Sequence, residues 1–214
     1  EITAEKLGSE FKDTENGTYA YDAETGKETL INSAQYGYDN LANSMASLLN
    51  TLGINPKDMV LVLEGVGSLQ NRKTIYAGYK AGREKPEGFY REYNKMLGMF
   101  LTDMLALGAQ TAECDGLEAD DLIAWFCETL TEDNLLVVTN DHDLLALAKY
   151  DHVDVFSNGE INPKPYGDFP YEFIDVYKAT VGDSSDKIPG AKGFGPKAFA
   201  ALYAQFGDNG LRVL

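Results

Sequence analysis

Carboxylates recur at three places in this sequence where a folding chain would ordinarily keep like charges apart. "GLEADDLIAWF" (116–126) sets Glu118, Asp120 and Asp121 at the head of an otherwise apolar helix. "TNDHDLLAL" (139–147) carries Asp141 and Asp143, and "GDSSDKIPG" (182–190) carries Asp183 and Asp186. Glu64 directly follows the apolar run "MVLVL". Two carboxylates 4 Å apart repel by about 1 kcal/mol in water and by several times more at a protein surface. Helix dipoles offset only part of that, and residues 96–148 hold eleven Asp and Glu with no Lys or Arg. Oxygen donors in this number suit a hard divalent cation, Mg²⁺ with Mn²⁺ as a substitute. An EF-hand is excluded, because "DHDLLALAKYD" lacks the glycine at loop position 6 and the glutamate at position 12. Two histidines, His142 and His152, are too few for a typical zinc site. Any one of these acids could instead cap a helix or solvate a surface, the reading given to Glu113, Glu128, Glu132 and Asp133.

The elements that must position these groups follow from periodicity. Apolar residues at helical spacing predict helices over 33–52, from Pro86 to about Leu107, from about Leu117 to Leu130, and near 171–180. Short apolar runs predict buried strands at 59–63, 135–139 and 153–156, with a further strand at 110–114. Residues 1–31 are weakly patterned, with a hairpin expected around Glu24–Gly26. Residues 64–85 read as a loop and 159–170 as a connection. Strands alternating with helices give an α/β fold, a mostly parallel central sheet flanked by helices. Ligands bind beyond the carboxyl ends of such strands, where Glu64, Glu118 and Asp141 fall. The glycine-punctuated turn and helix after residue 170 read as a small second module, giving domains 1–170 and 171–214.

The net charge of −16 argues against a nucleic-acid partner when taken alone. Its distribution does not: residues 72–95 hold seven basic and three acidic side chains. Within "RKTIYAGYKAGR", Arg72, Lys73, Lys80 and Arg83 interleave with Tyr76 and Tyr79, which suits phosphates and an unpaired base; a solvated loop is the alternative. "GAKGFGPK" (190–197) ends on Pro196, which can open a helix over a phosphate, and Lys197; a purely structural tight turn is the alternative there. No apolar run is long enough to span a bilayer, so no membrane partner is expected. Cys114 and Cys127, without a CxxC spacing, suit reduced thiols in a cytoplasmic compartment.

"YAGYKAGR", "LEADDLIAW", "TNDHDLLAL" and "GDSSDKIPGAKGFGPKAFAALYAQFG" occur in an order that resembles the 5′ nucleases: flap endonucleases, phage 5′–3′ exonucleases and the 5′-nuclease domain of bacterial DNA polymerase I. The resemblance runs from about Ser33 to Gly207. It implies a PIN-like α/β fold with a helical arch over about 80–107 and a C-terminal helix–three-turn–helix module. It also implies two-metal hydrolysis of DNA phosphodiesters at 5′ ends, flaps and branched duplexes. Glu64, Glu118, Asp120 and Asp141 would serve one metal, with Asp121 beside them. Asp143, Asp183 and Asp186 would serve the second. Lys80 and Arg83 would contact the scissile phosphate, Tyr79 would stack on a base and Arg72 would bind DNA. K⁺ would sit among the carbonyls of Thr180, Val181, Pro189, Ala191 and Phe194. DNA would meet Lys192, Gly193, Gly195 and Lys197. A monomer, associated with a DNA polymerase, is expected. Two departures stand out. Glu64 occupies a position where the family usually has Asp. The family's first strand, which ends in a metal-binding Asp, is expected to precede Glu1, with Asp22 as the one visible substitute. A catalytically silent DNA-junction binder and a PIN-like ribonuclease are the competing functions.

Overall fold

The computed structural model describes residues 10–14, 17–22, 25–80, 85, 87–184 and 188–212. In chain order, strands β1 (Glu10–Thr14), β2 (Gly17–Asp22) and β3 (Lys27–Asn32) form an antiparallel meander. Helix α1 (Ala34–Leu52) follows and stops at Gly53, whose φ of 66° lets its N–H turn back to the Leu49 carbonyl. Then come β4 (Val60–Val62), α2 (Ser68–Ile75), α3 (Phe89–Ala106) and β5 (Gln110–Ala112). Helix α4 (Ala119–Thr129) leads to β6 (Leu135–Val138), a 3₁₀ helix over His142–Lys149, β7 (Val153–Ser157) and β8 (Glu160–Ile161). The chain finishes with α5 (Ile174–Val181), the two-residue strands β9 (Gly182–Asp183) and β10 (Ile188–Pro189), and α6 (Pro196–Leu211).

The contacts divide into two compact units, one of residues 1–61 and 83–112, the other of 62–82 and 113–214. In the first, α1 packs on α3, with Phe100, Met104 and Ala109 buried against Leu41, Met45, Met59 and Leu61. Glu92 of α3 is buried there, and its Oε2 accepts the N–H groups of Ser33 and Ala34 at 3.3 and 3.4 Å. A carboxylate from one helix thus caps the next, which compensates for the lack of a side-chain cap from Ser33 itself.

In the second unit β6 and β7 pair in parallel, and β8 turns back antiparallel on β7. Val137, Leu145, Val153, Val155, Phe173, Tyr177, Phe199 and Leu211 form its core. Phe199 and Leu211 of α6 therefore share one core with strands β6 and β7. Alternate burial along β7, with Val153, Val155 and Ser157 inside, marks a strand with one covered face.

The structure differs from the sequence expectation at several points. Among the described residues the strands form four small sheets, β1–β3, β4–β5, β6–β8 and β9–β10, in place of one continuous sheet. The runs at 59–63 and 135–139 are strands, but not buried on both faces: Val60 is 49% exposed and Val138 43%. An apolar run predicts double burial only where layers cover both sides, and here each strand has one hydrogen-bonded neighbour. Within 64–85, read as a loop, lies α2; its sequence SLQNRKTI has Leu69 and Ile75 as its large apolar residues and leaves no periodic apolar signal. The stretch 159–170 includes β8, and residues up to Asn32 include strand β1 beside β2–β3, the hairpin that was expected around Glu24–Gly26. Asp22 is the last residue of β2, paired with Lys27.

Candidate active site

Glu64, Glu118, Asp120, Asp121, Asp141, Asp143 and Asp183 lie in the second unit, whereas Asp22 lies in the first. The turn after β4 brings Glu64 to the head of α4. Gly65 donates its N–H to the Leu117 carbonyl at 3.0 Å, and Gly116 returns one to Val66 at 2.8 Å. The approach is so close that a Cβ on Gly65 would lie 1.7 Å from the Cys114 oxygen. Glu64 Oε2 then accepts from the Ala119 N–H at 3.3 Å and the Ser68 hydroxyl at 3.4 Å. At the N-cap of α4, Glu118 is 5% exposed and its own N–H donates to Asp121 Oδ2 at 3.0 Å. This i, i+3 contact uses orphan donors of the helix start.

The buried Glu118 carboxylate collects donors from the basic segment. Lys80 Nζ lies 3.0 Å from Oε1, while the Tyr79 hydroxyl and Arg72 Nε reach Oε2 at 2.8 and 3.3 Å. Arg72 also pairs with Asp121 Oδ1. Burial opposes the Glu118 charge, but hydrogen bonds from Lys80 and Tyr79 and the charges of Lys80 and Arg72 outweigh it and lower its pKa. Burial likewise opposes the Lys80 ammonium, yet bonding with Tyr79 and Glu118 raises its pKa well above the ordinary lysine value. Lys80 holds this position with a left-handed φ of 49°, uncommon for a residue bearing a Cβ. Asp120 differs from Glu118: burial, then the charges of Asp141 and Glu64, push its carboxyl up.

Asp141 caps the 3₁₀ helix after β6, its Oδ1 accepting the Asp143 N–H at 2.9 Å. Its charge is felt by Asp120 and, together with that of Asp183, by Tyr166. Asp143 and Asp183 are joined by a residue the sequence reading passed over. Lys178 of α5 pairs with Asp143 Oδ1 and reaches Asp183 Oδ2 at 2.8 Å. Its position five residues before Asp183 on a helix was the available signal. Asp186 and Arg83 lie outside the described residues. Among the described residues, no three His, Cys, Asp or Glu side chains are gathered tightly enough to grip one metal ion by themselves.

In the turn module the Thr180 carbonyl accepts the Ala191 N–H at 2.7 Å, and the Ala191 carbonyl accepts that of Phe194 at 3.0 Å. Val181 ends α5 and Pro189 ends β10. A Cβ at Gly190 would lie 2.3 Å from Val181 carbonyl atoms, so this crossing requires glycine. Gly193 has a φ of 81°, and neither Gly193 nor Gly195 has a neighbour within 4 Å of a built Cβ. Pro196 is the first residue of α6, and Lys192 and Lys197 are exposed on either side.

In this α/β chain, carboxylates from four segments thus stand beside the partly exposed basic side chains of Arg72, Lys80 and Lys178. The comparisons with known proteins identify the family. The family model for the 5′-3′ exonuclease N-terminal resolvase-like domain matches residues 19–170, more than half of the chain. The chain belongs to that family. It is similar to DNA polymerase I of Deinococcus radiodurans, 38% identical over 145 residues, which are 64% of this chain and 14% of that one. It is 33% identical to the thermostable DNA polymerase I of Thermus thermophilus over 183 residues, 82% of this chain and 21% of that one. A 5′-3′ exonuclease of Buchnera aphidicola is 29% identical over 179 residues, 78% of this chain and 59% of that protein. The chain thus spans a small part of the polymerases and somewhat over half of the separate exonuclease. Among solved structures, a flap endonuclease of bacteriophage T5, in a pseudo-enzyme-product complex with DNA and metal ions, has the same fold. The TM-score is 0.59 at 20% identity, covering 79% of this chain and 67% of that one. The T5 5′-exonuclease with bound divalent zinc has a TM-score of 0.57 with the same identity and coverage. No helix among the described residues is long and apolar enough to cross a membrane.

Proposed function

We propose that this chain is the catalytic part of a structure-specific 5′ nuclease that hydrolyses DNA phosphodiesters at 5′ ends and flaps with divalent metal ions, Mg²⁺ first and Mn²⁺ in its place. The observation that carries this reading is that Glu64, Glu118 and Asp141, from three separate segments of one compact unit, all disfavour the charge of Asp120, with Glu64 bonded to the Ala119 N–H beside it. The donor set fits such ions by chemistry: it is all oxygen, and ammonium and guanidinium groups already stand in as cations on its members. Divalent ions supply Lewis acidity toward the phosphoryl oxygens and acidify an attacking water.

The chain's own residues do the rest. Glu64, Glu118, Asp120 and Asp141 would hold one ion, and Asp143 and Asp183, with Asp186 by the resemblance, the second. Asp121 is a positioning residue, since its oxygens are engaged by the Glu118 N–H and Arg72. Lys80, charged throughout the working pH range, and Arg83 stabilise the anionic phosphate. Tyr79 offers a ring face for a terminal base, and Arg72 backs Glu118. The segment 171–214 acts as the helix–three-turn–helix module. Its open backbone at Gly193 and Gly195, with Lys192 and Lys197, would receive duplex phosphates, and the carbonyls of Thr180, Val181, Pro189, Ala191 and Phe194 would hold K⁺. The relatives that carry a polymerase make a polymerase the natural partner of this chain.

One observation favours a second reading, a DNA-junction binder without catalysis. Arg72, Lys80 and Lys178 already neutralise acids of the site, and no tight three-donor cluster is present among the described residues. Asp141→Ala separates the two. A nuclease loses Mg²⁺-dependent cleavage, by roughly 10³-fold or more, while DNA affinity stays nearly constant. A binder shows no cleavage to lose.

A further inference from the structure

We propose that the Lys178 ammonium is a built-in counter-ion that holds Asp143 and Asp183 together until a divalent cation displaces it, so that metal entry at this pair is an exchange of cations. The inference rests on the reading of these two aspartates as metal donors. Three elements of one unit converge here: the 3₁₀ helix bearing Asp143, α5 bearing Lys178 and β9 bearing Asp183. Lys178 is 17% exposed and Asp183 11%, so water screens the contact poorly. Asp143 Oδ1 is shielded from solvent and faces Lys178 Nζ. The same ammonium lies 5.9 Å from the centroid of the Tyr166 ring, which closes one side of the group.

Two carboxylates and one ammonium leave a net charge of −1, whereas two carboxylates and one divalent ion balance. A divalent ion and the ammonium compete for the same oxygens, because like charges at that distance repel. The lysine leaves readily: four methylenes of flexible stem let the ammonium swing away without moving the helix. Without a metal, its presence keeps the aspartates from forcing the turn module apart. The occupied state must be undone before a metal binds, and the apparent metal affinity falls by that factor.

Manganese titration calorimetry on the full chain, comparing wild type with Lys178→Met and Lys178→Arg, tests this. The methionine variant should bind Mn²⁺ about tenfold more tightly, while the arginine variant, which keeps the competing charge, should stay near wild type. Metal-free, the methionine variant should melt at a lower temperature, and Mn²⁺ should close the gap. Equal or weaker Mn²⁺ affinity in a folded Lys178→Met protein overturns the exchange alone. No uptake by any of the three overturns both the exchange and the metal reading. If the methionine variant does not fold, wild type still answers. An NMR signal of the Lys178 ammonium protected in chelator should vanish on adding Mg²⁺, and a signal that persists at saturating Mg²⁺ overturns the proposal.

Discussion

At the scale of single residues, the chain answers the problem of its clustered acids in a way that local sequence hides. Residues 96–148 contain no Lys or Arg, yet Glu118 meets Lys80 and Arg72, and Asp143 meets Lys178. All three cations come from outside that stretch. Neutralisation is a tertiary property, so reasoning from neighbours in sequence reached a metal without seeing the resident cations. Lys80 is expected to matter most. Lys80→Ala should slow cleavage by roughly 10²-fold or more, with an unchanged circular dichroism spectrum. Loss of the fold would make Lys80 a structural partner of Glu118 instead. That Glu64, Glu118, Asp120 and Asp141 share one compact unit was legible, because acids beyond strand ends carry a recognisable pattern. The engagement of Asp121 in capping was not, since the same i, i+3 spacing serves a cap or a ligand pair.

At the scale of elements, turns decide where the site's side chains go. Gly65 lies in a "GVG" that carries little weight by itself, yet its backbone presses on Cys114 and places Glu64 beside Ala119. Gly65→Ala should cost at least ~2 kcal/mol of stability, read by urea denaturation, and should lower activity beyond what the stability loss explains. Glu92 gives an element-scale prediction remote from the chemistry. Burial disfavours its charge, but bonds from Lys95, the Ser33 N–H and Arg91 outweigh this and lower its pKa. A depressed carboxylate stabilises the fold above its unfolded pKa, and that contribution disappears as pH falls through the folded value. Wild type should therefore lose stability on acidification below about pH 4, and Glu92→Gln should lose less over the same range. At pH 7, Glu92→Ala should cost about 1–2 kcal/mol. The long helices α1, α3 and α4 were legible because their apolar residues repeat at helical spacing. Helix α2 and strand β1 were not, because the sequence of neither carries a periodic apolar stripe.

At the scale of the whole molecule, the proposed function requires a chain of net charge −16 to bind a polyanion through a few well-placed cations. With about five phosphate contacts, DNA affinity measured by anisotropy in Ca²⁺ should fall with salt at a logarithmic slope of about −4.5. Replacing Lys192 or Lys197 by Ala should make it shallower by about 1. The α/β class was legible from alternating strands and helices; the division of the strands into four small sheets was not, since strand pairing depends on contacts distant in sequence. The central claim is that acids from separate segments of one unit form a divalent-metal nuclease site. A 5′-labelled flap duplex incubated with this chain tests it most directly. The expected result is release of short labelled products in Mg²⁺, none in EDTA, and recovery when Mg²⁺ is restored. A flap that stays bound but intact at every Mg²⁺ and Mn²⁺ concentration, or one cut equally well in EDTA, contradicts it.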